Sequence, residues 1–202
     1  CDNSPPVFPQ EVHAPMLGEI LRFLLDIFFS LLGAVLLARV WIFAVKLHPF
    51  NPISQAIYQA TNWIVTPVRK LFPAGSGIDV ASLVVAFFCA VAYLILMWVV
   101  STGSLPSPAA LPLLLGAAVV TLCRWGLNLI VWLTLIQAVL SWVNPMAAAM
   151  PVLRTLTEPL LAPIRRIMPN LGALDLSPLA LLIFAQVAMM VLNRISFSLI
   201  GV

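Results

Sequence analysis

Residues 80–100, VASLVVAFFCAVAYLILMWVV, contain no charged side chain. A helix rises about 1.5 Å per residue, so a run of roughly 20 residues crosses a bilayer core of about 30 Å. Residues 21–45 and 177–200 are further runs of that kind. In the first, Asp26 and Arg39 lie toward opposite ends, where each is expected to reach an interface. They are about 19 Å apart along a helix, too far to pair directly. The stretch 111–143, LPLLLGAAVVTLCRWGLNLIVWLTLIQAVLSWV, is harder to place. As one helix it would reach about 50 Å, too long for a single crossing without strong tilt. Arg124 divides it. Residues 125–143 are enough for a span with Arg124 at one interface, while 111–123 either extend that span or lie re-entrant or interfacial. Composition supports the reading, since 62% of the 202 residues are hydrophobic and 8% charged, and mean hydropathy is +1.10. A soluble domain carries about 25% charged residues. The fold class is an all-α integral membrane protein with four crossings.

Charge placement tests that count. Loop 46–79 holds Lys46, Arg69 and Lys70, loop 144–176 holds Arg154, Arg165 and Arg166, and 101–110 holds no Lys or Arg. Four crossings put both basic loops on one side, which the positive-inside rule makes cytoplasmic; five would split them evenly. The net charge of +3 comes with no basic run longer than two residues, so nucleic acid is not an expected partner.

The two basic loops repeat each other. With a shift of 96 residues, Thr61 falls on Thr157, Pro67 on Pro163, Arg69 on Arg165, Lys70 on Arg166, Pro73 on Pro169 and Asp79 on Asp175. Upstream, the Asn-Pro at 51–52 recurs at 144–145. The chain therefore reads as two parallel tandem two-helix repeats, at 16–104 and 105–202, each with an amphipathic interfacial segment. Pro52, and either Pro145 or Pro151, can open those segments. In ISQAIYQATNWIV, Ile53, Ile57, Ala60 and Ile64 follow helical spacing, as in a helix lying in the membrane surface. Pro67 and Pro163 are expected to interrupt these segments and redirect the chain. Asp79 can cap the second span; Asp175 or Ser177 can cap the fourth, with Pro178 in its first turn.

The basic pairs Arg69/Lys70 and Arg165/Arg166, flanked by apolar residues, suit anionic headgroups or a protein partner. An acid ten residues beyond each arginine suggests the ties Arg69–Asp79 and Arg165–Asp175. At a wet interface such a tie is worth about 0–1 kcal/mol. Inside the membrane, three faces are polar: Thr134, Gln137 and Ser141; Asp26, Ser30 and Gly33; and Gln186 and Asn193. They read as helix-to-helix contacts rather than a conduction path.

No metal site, cofactor or catalytic centre is expected. No HExxH, GxSxG, GxGxxG or P-loop occurs; His13 lies in the tail and His48 before Pro49 in a turn. Cys1, Cys89 and Cys123 form no CxxC, and the two in apolar runs read as small buried hydrophobes. The polar, proline-rich residues 1–15 are expected to be a disordered tail, read as sequence upstream of a start at Met16 rather than as a lipoprotein beginning at an acylated Cys1.

The motifs PVRKLFPAGSGIDVASLVV, LSWVNP, EPLLAPIRRIMP and LDLSP together resemble the YggT family of bacterial membrane proteins, to which YlmG is related, in its two-repeat form over about residues 16–200. One departure is Gln137, where the family often has an arginine. The resemblance implies a multi-pass protein of the bacterial cytoplasmic membrane. It links relatives to division or nucleoid organisation, haem attachment in chloroplasts, osmotic tolerance and potassium uptake, without a common activity. Function is therefore expected to be a non-enzymatic scaffold or assembly factor working with lipid and an unidentified membrane-protein partner. The alternative is a small ion or osmolyte channel subunit, which would need a homo-oligomer to enclose a pore.

Overall fold

The computed structural model describes residues 13–47, 51–71, 77–167 and 176–200. Its elements are α1 (His13–Ala44), α2 (Pro52–Arg69), α3 (Val80–Thr102), a single 3-10 turn (Pro108–Ala110), α4 (Leu111–Val143), α5 (Met150–Ile167) and α6 (Ser177–Ile200). No strand occurs among the described residues. Four segments are long and apolar enough to cross a membrane: Met16–Ala44, Val80–Thr102, Pro108–Val143 and Ser177–Ser198. Large apolar side chains such as Phe23, Phe88, Phe184 and Met190 point outward, as lipid contact requires. The protein is an all-helical integral membrane protein.

Several boundaries differ from the expectation. Helix α1 starts at His13, within the stretch read as a tail. The run 111–143 forms one continuous helix, so residues 111–123 extend the third span. Leu114, Ala117, Ala118 and Thr121 are buried there, and α3 packs against α4. Packing through small side chains holds that extra length in the bundle.

The largest helix pairings are α1 with α3 and α4 with α6. Helix α3 offers Ala81, Ala86, Cys89 and Ala90, all buried, as a narrow face that lets neighbouring backbones approach. Gly33 on α1 faces α4 even more closely, since a Cβ there would lie 2.1 Å from Trp125 Cε3. Trp125 stands beside Tyr93 at 5.9 Å between ring centroids, and Tyr93 beside Phe29 at 5.8 Å. Cys89 is buried as expected, whereas Cys123 is exposed on α4.

Helices α2 and α5 are shorter and two-faced. Helix α2 buries Ser54, Thr61 and Val65, and α5 buries Val152, Leu153, Leu156, Thr157 and Leu161. Asn51 caps α2, its side chain accepting from the Ile53 N–H at 3.0 Å, with Pro52 first in the helix. In α5 the opening proline is Pro151 rather than Pro145. Pro67 and Pro163 do not interrupt these helices; both lie inside them, as does Pro159. All three are exposed. A proline removes the N–H that would reach the carbonyl four residues back. Here those carbonyls belong to Trp63, Pro159 and Thr155. Pro159 and Pro163 share one exposed stripe, and Pro67 sits in the last turn of α2.

Ile42 of α1 clusters with Val152 and Leu156 of α5, with Ile53 and Ile57 of α2 packed alongside. Trp41 Nε1 donates to the Leu156 carbonyl at 2.8 Å. Helices α2 and α5 therefore lie at the same end of the bundle. The connection 103–110, opened by Gly103 at φ 69°, lies at the opposite end.

A buried charge cluster as candidate functional site

Arg39 sits five residues before the end of α1 and is 1% exposed. Instead of an exposed side chain reaching outward, it is buried among protein partners. Its Nη1 donates to Thr61 Oγ1 at 2.7 Å and to Asn62 Oδ1 at 2.9 Å, both on α2. Its Nε donates to Asp79 Oδ2 at 3.3 Å, and its guanidinium lies 4.7 Å from the centre of the Tyr58 ring. A cation over an aromatic face is favourable, more so where water is excluded. One side chain of α1 thus joins α2 to the start of α3.

Asp79 is the centre of the cluster and is 0% exposed. It caps α3 as its sequence position suggests, Oδ1 accepting from the Ser82 N–H at 3.3 Å. Oδ2 accepts from Ser82 Oγ at 2.8 Å and from Arg69 Nη2 at 2.5 Å. Burial alone would raise its pKa, yet the Ser82 hydrogen bonds and the two guanidinium groups, Arg69 ahead of Arg39, hold the carboxyl below its ordinary value. The Arg69–Asp79 tie exists, but not at a wet interface. Two arginines share one carboxylate, which leaves a surplus positive charge on Arg69, whose side chain is 39% exposed. Arg69 Nε is buried and has no acceptor among the described residues. Lys70 follows, exposed, at the end of α2.

At the matching position in the second half the chemistry is milder. Thr157, like Thr61, turns its hydroxyl to the carbonyl four residues back, Leu153 at 2.9 Å. It also meets Gln137 Oε1 of α4. Gln137 thus occupies the place of Arg39 beside the threonine, without a charge. Arg165 Nη1 pairs with Glu158 at 2.9 Å on an exposed face. Asp175, its expected partner, lies outside the described residues. Ser177 is buried at the start of α6, and Pro178 is in the first turn. Arg166 is exposed.

The polar faces behave unevenly. Asp26 accepts from the Tyr93 hydroxyl across α1 and α3 at 2.8 Å, and Gln137 contacts α5. Thr134 is fully buried without a hydrogen-bond partner among the described residues. Ser141, Gln186 and Asn193 are exposed. Missed altogether in the sequence were Arg39, Tyr58, Asn62 and Ser82 as one cluster. The available signal was Arg39 itself, since a cation within an apolar run calls for a named partner.

The CCB3/YggT family model matches this chain twice, at residues 18–100 and 116–196. The chain belongs to the CCB3/YggT family. The first match spans α1 to α3 and takes in the whole charge cluster; the second runs from α4 into α6. An uncharacterised protein from the proC 3′ region of Vibrio alginolyticus is 37% identical over 170 residues, covering 83% of this chain and 90% of that protein. The uncharacterised protein YggT of Escherichia coli K12 is 35% identical over 168 residues, covering 83% and 86%. An uncharacterised protein of Haemophilus influenzae is 31% identical over 173 residues, covering 85% and 88%. No solved structure matches the chain.

Proposed function

We propose that this CCB3/YggT protein is a non-enzymatic scaffold or assembly factor of the bacterial cytoplasmic membrane. In this reading the end bearing α2 and α5 faces the cytoplasm and holds a membrane-protein partner against anionic lipid. The observation that carries it is the attachment of α2 by charge: Arg39 ties it to α1, and Arg69 ties it to α3 through Asp79. A helix serving only as a lipid anchor could be held by apolar contact alone. Attachment by directed contacts fixes the rotation of α2, so Lys70 at its end is presented at a set position, while Arg166 is exposed in the last turn of α5. Both side chains are exposed, which suits headgroups or an acidic partner surface.

Two measurements test this reading. Crosslinking in the native membrane should recover a defined protein partner through α2 or α5, and Lys70→Gln with Arg166→Gln should weaken its capture without lowering expression. Liposomes containing only this protein should show no selective potassium or osmolyte flux. Robust selective flux would replace the scaffold with the channel reading. Orientation is read by single cysteines at Lys70, Ser104 and Ile167 in a background without native cysteines; only the one at 104 should label from outside.

A further inference from the structure

A second site lies at the end of the bundle opposite α2 and α5. There α1, α3, α4 and α6 enclose a pocket of about 580 Å³ whose lining includes Arg22, Trp98, Arg124, Asn193, Ser196 and Phe197. Counted from the α2/α5 ends of their helices, Arg22, Arg124 and Ser196 stand roughly 28–33 Å away, near the far boundary of a hydrocarbon core. Arg22 and Arg124 line the same space, and no Asp or Glu is among its lining residues. Arg22 is four residues before Asp26, a spacing at which opposite charges pair on a helix. Asp26 instead accepts from Tyr93. Among the described residues, neither Arg22 nor Arg124 makes an ion pair.

We propose that this pocket binds the phosphodiester headgroup of an anionic phospholipid from the leaflet opposite α2 and α5. Guanidinium forks match phosphate oxygens in geometry and charge, and two together can grip one phosphodiester. Ser196 and Asn193 offer a hydroxyl and an amide to the glycerol portion. Trp98, Met97 and Phe197 make a mostly apolar wall along which the upper part of an acyl chain can lie. Inorganic phosphate would use the cations but leave that wall bare, so the lining favours an amphiphile.

The test is native mass spectrometry and thermal unfolding of the detergent-purified chain with phosphatidylglycerol, phosphatidylcholine or inorganic phosphate added separately. One phosphatidylglycerol should be retained and should raise the unfolding midpoint; phosphatidylcholine and inorganic phosphate should do neither. Arg22→Gln and Arg124→Gln should each lower retention roughly fivefold, equivalent to about 1 kcal/mol. Lys70→Gln with Arg166→Gln, at the other end, should leave it unchanged. Arg22 is exposed, so its replacement keeps the test open even if Arg124→Gln fails to fold. The proposal is overturned by equal retention of the two lipids, by indifference to both arginine substitutions, by loss on changing Lys70 and Arg166, or by stabilisation with inorganic phosphate alone.

Discussion

Helices α2 and α5 dock at the same end of one bundle by different means. Helix α2 is held by buried charge: Arg39 and Arg69 converge on Asp79, and Arg39 also reaches Thr61 and Asn62. Helix α5 buries Leu153, Leu156 and Leu161 and sets Thr157 against the neutral Gln137, and Arg165 pairs with Glu158 on an exposed face. The second arrangement demonstrates that an amphipathic helix can be docked here without a buried arginine beside its threonine. Burying charge is an inefficient route to stability, because desolvation offsets most of the attraction. The cluster under α2 is better understood as a device that specifies one rotation and depth.

The largest effect should come from Asp79→Asn. It removes the fully buried carboxylate that faces two guanidinium groups, and removing one partner of a buried pair typically costs about 3–5 kcal/mol. The thermal midpoint in detergent should fall accordingly, and Arg39→Gln in the same chain should add less than its separate loss. Acid should mimic the substitution. The carboxyl is depressed in the fold, so its contribution is complete above the unfolded carboxylate pKa of about 4 and disappears as pH drops through the lower folded value. Wild type should therefore lose a stability component below about pH 4 that Asp79→Asn lacks from the start.

Next comes Gly33→Ala, which tests the seam between the halves rather than the docking of α2. A methyl group there meets the Trp125 ring, and overpacking of this kind costs about 1–3 kcal/mol. A milder change is Gln137→Leu, where the neutral contact to α5 should be worth about 0.6 kcal/mol. If Gln137→Leu proves as damaging as Asp79→Asn, the contrast between the two helices collapses. The smallest effect belongs to Glu158→Gln. Its pair with Arg165 is exposed, with side chains 52% and 36% accessible, so a shift within about 0–1 kcal/mol is expected in unfolding measurements.

Four spans were legible because length and apolar content answer directly to bilayer thickness. Asp79 as a cap and Arg69 as its partner were legible from their recurrence in the second half. Arg39 was not. Its distance from the end of α1 is compatible with reaching an interface, and only the folding of α2 and α3 around it, with contacts 22 and 40 residues away, brings it acceptors. Residues 111–123 were ambiguous because the run exceeds one bilayer thickness, and length alone cannot reveal a neighbour that buries Ala117 and Ala118. The prolines misled for a related reason. Proline opposes helix continuation locally, but exposed carbonyls on α2 and α5 can be satisfied from outside the helix, so Pro67, Pro159 and Pro163 remain helical.

Trp41 imposes an order on biogenesis. Every member of the charge cluster has been synthesised once residue 82 has been added, so the α1–α2–α3 cluster can close early. The indole N–H of Trp41 has no such early acceptor: the Leu156 carbonyl to which it donates is translated 115 residues after it. Until α5 arrives, α1 keeps an unmatched donor, and Ile42 lacks Val152 and Leu156. A nascent chain arrested after Thr102 thus carries a charge cluster already complete beside an indole donor that still lacks its acceptor.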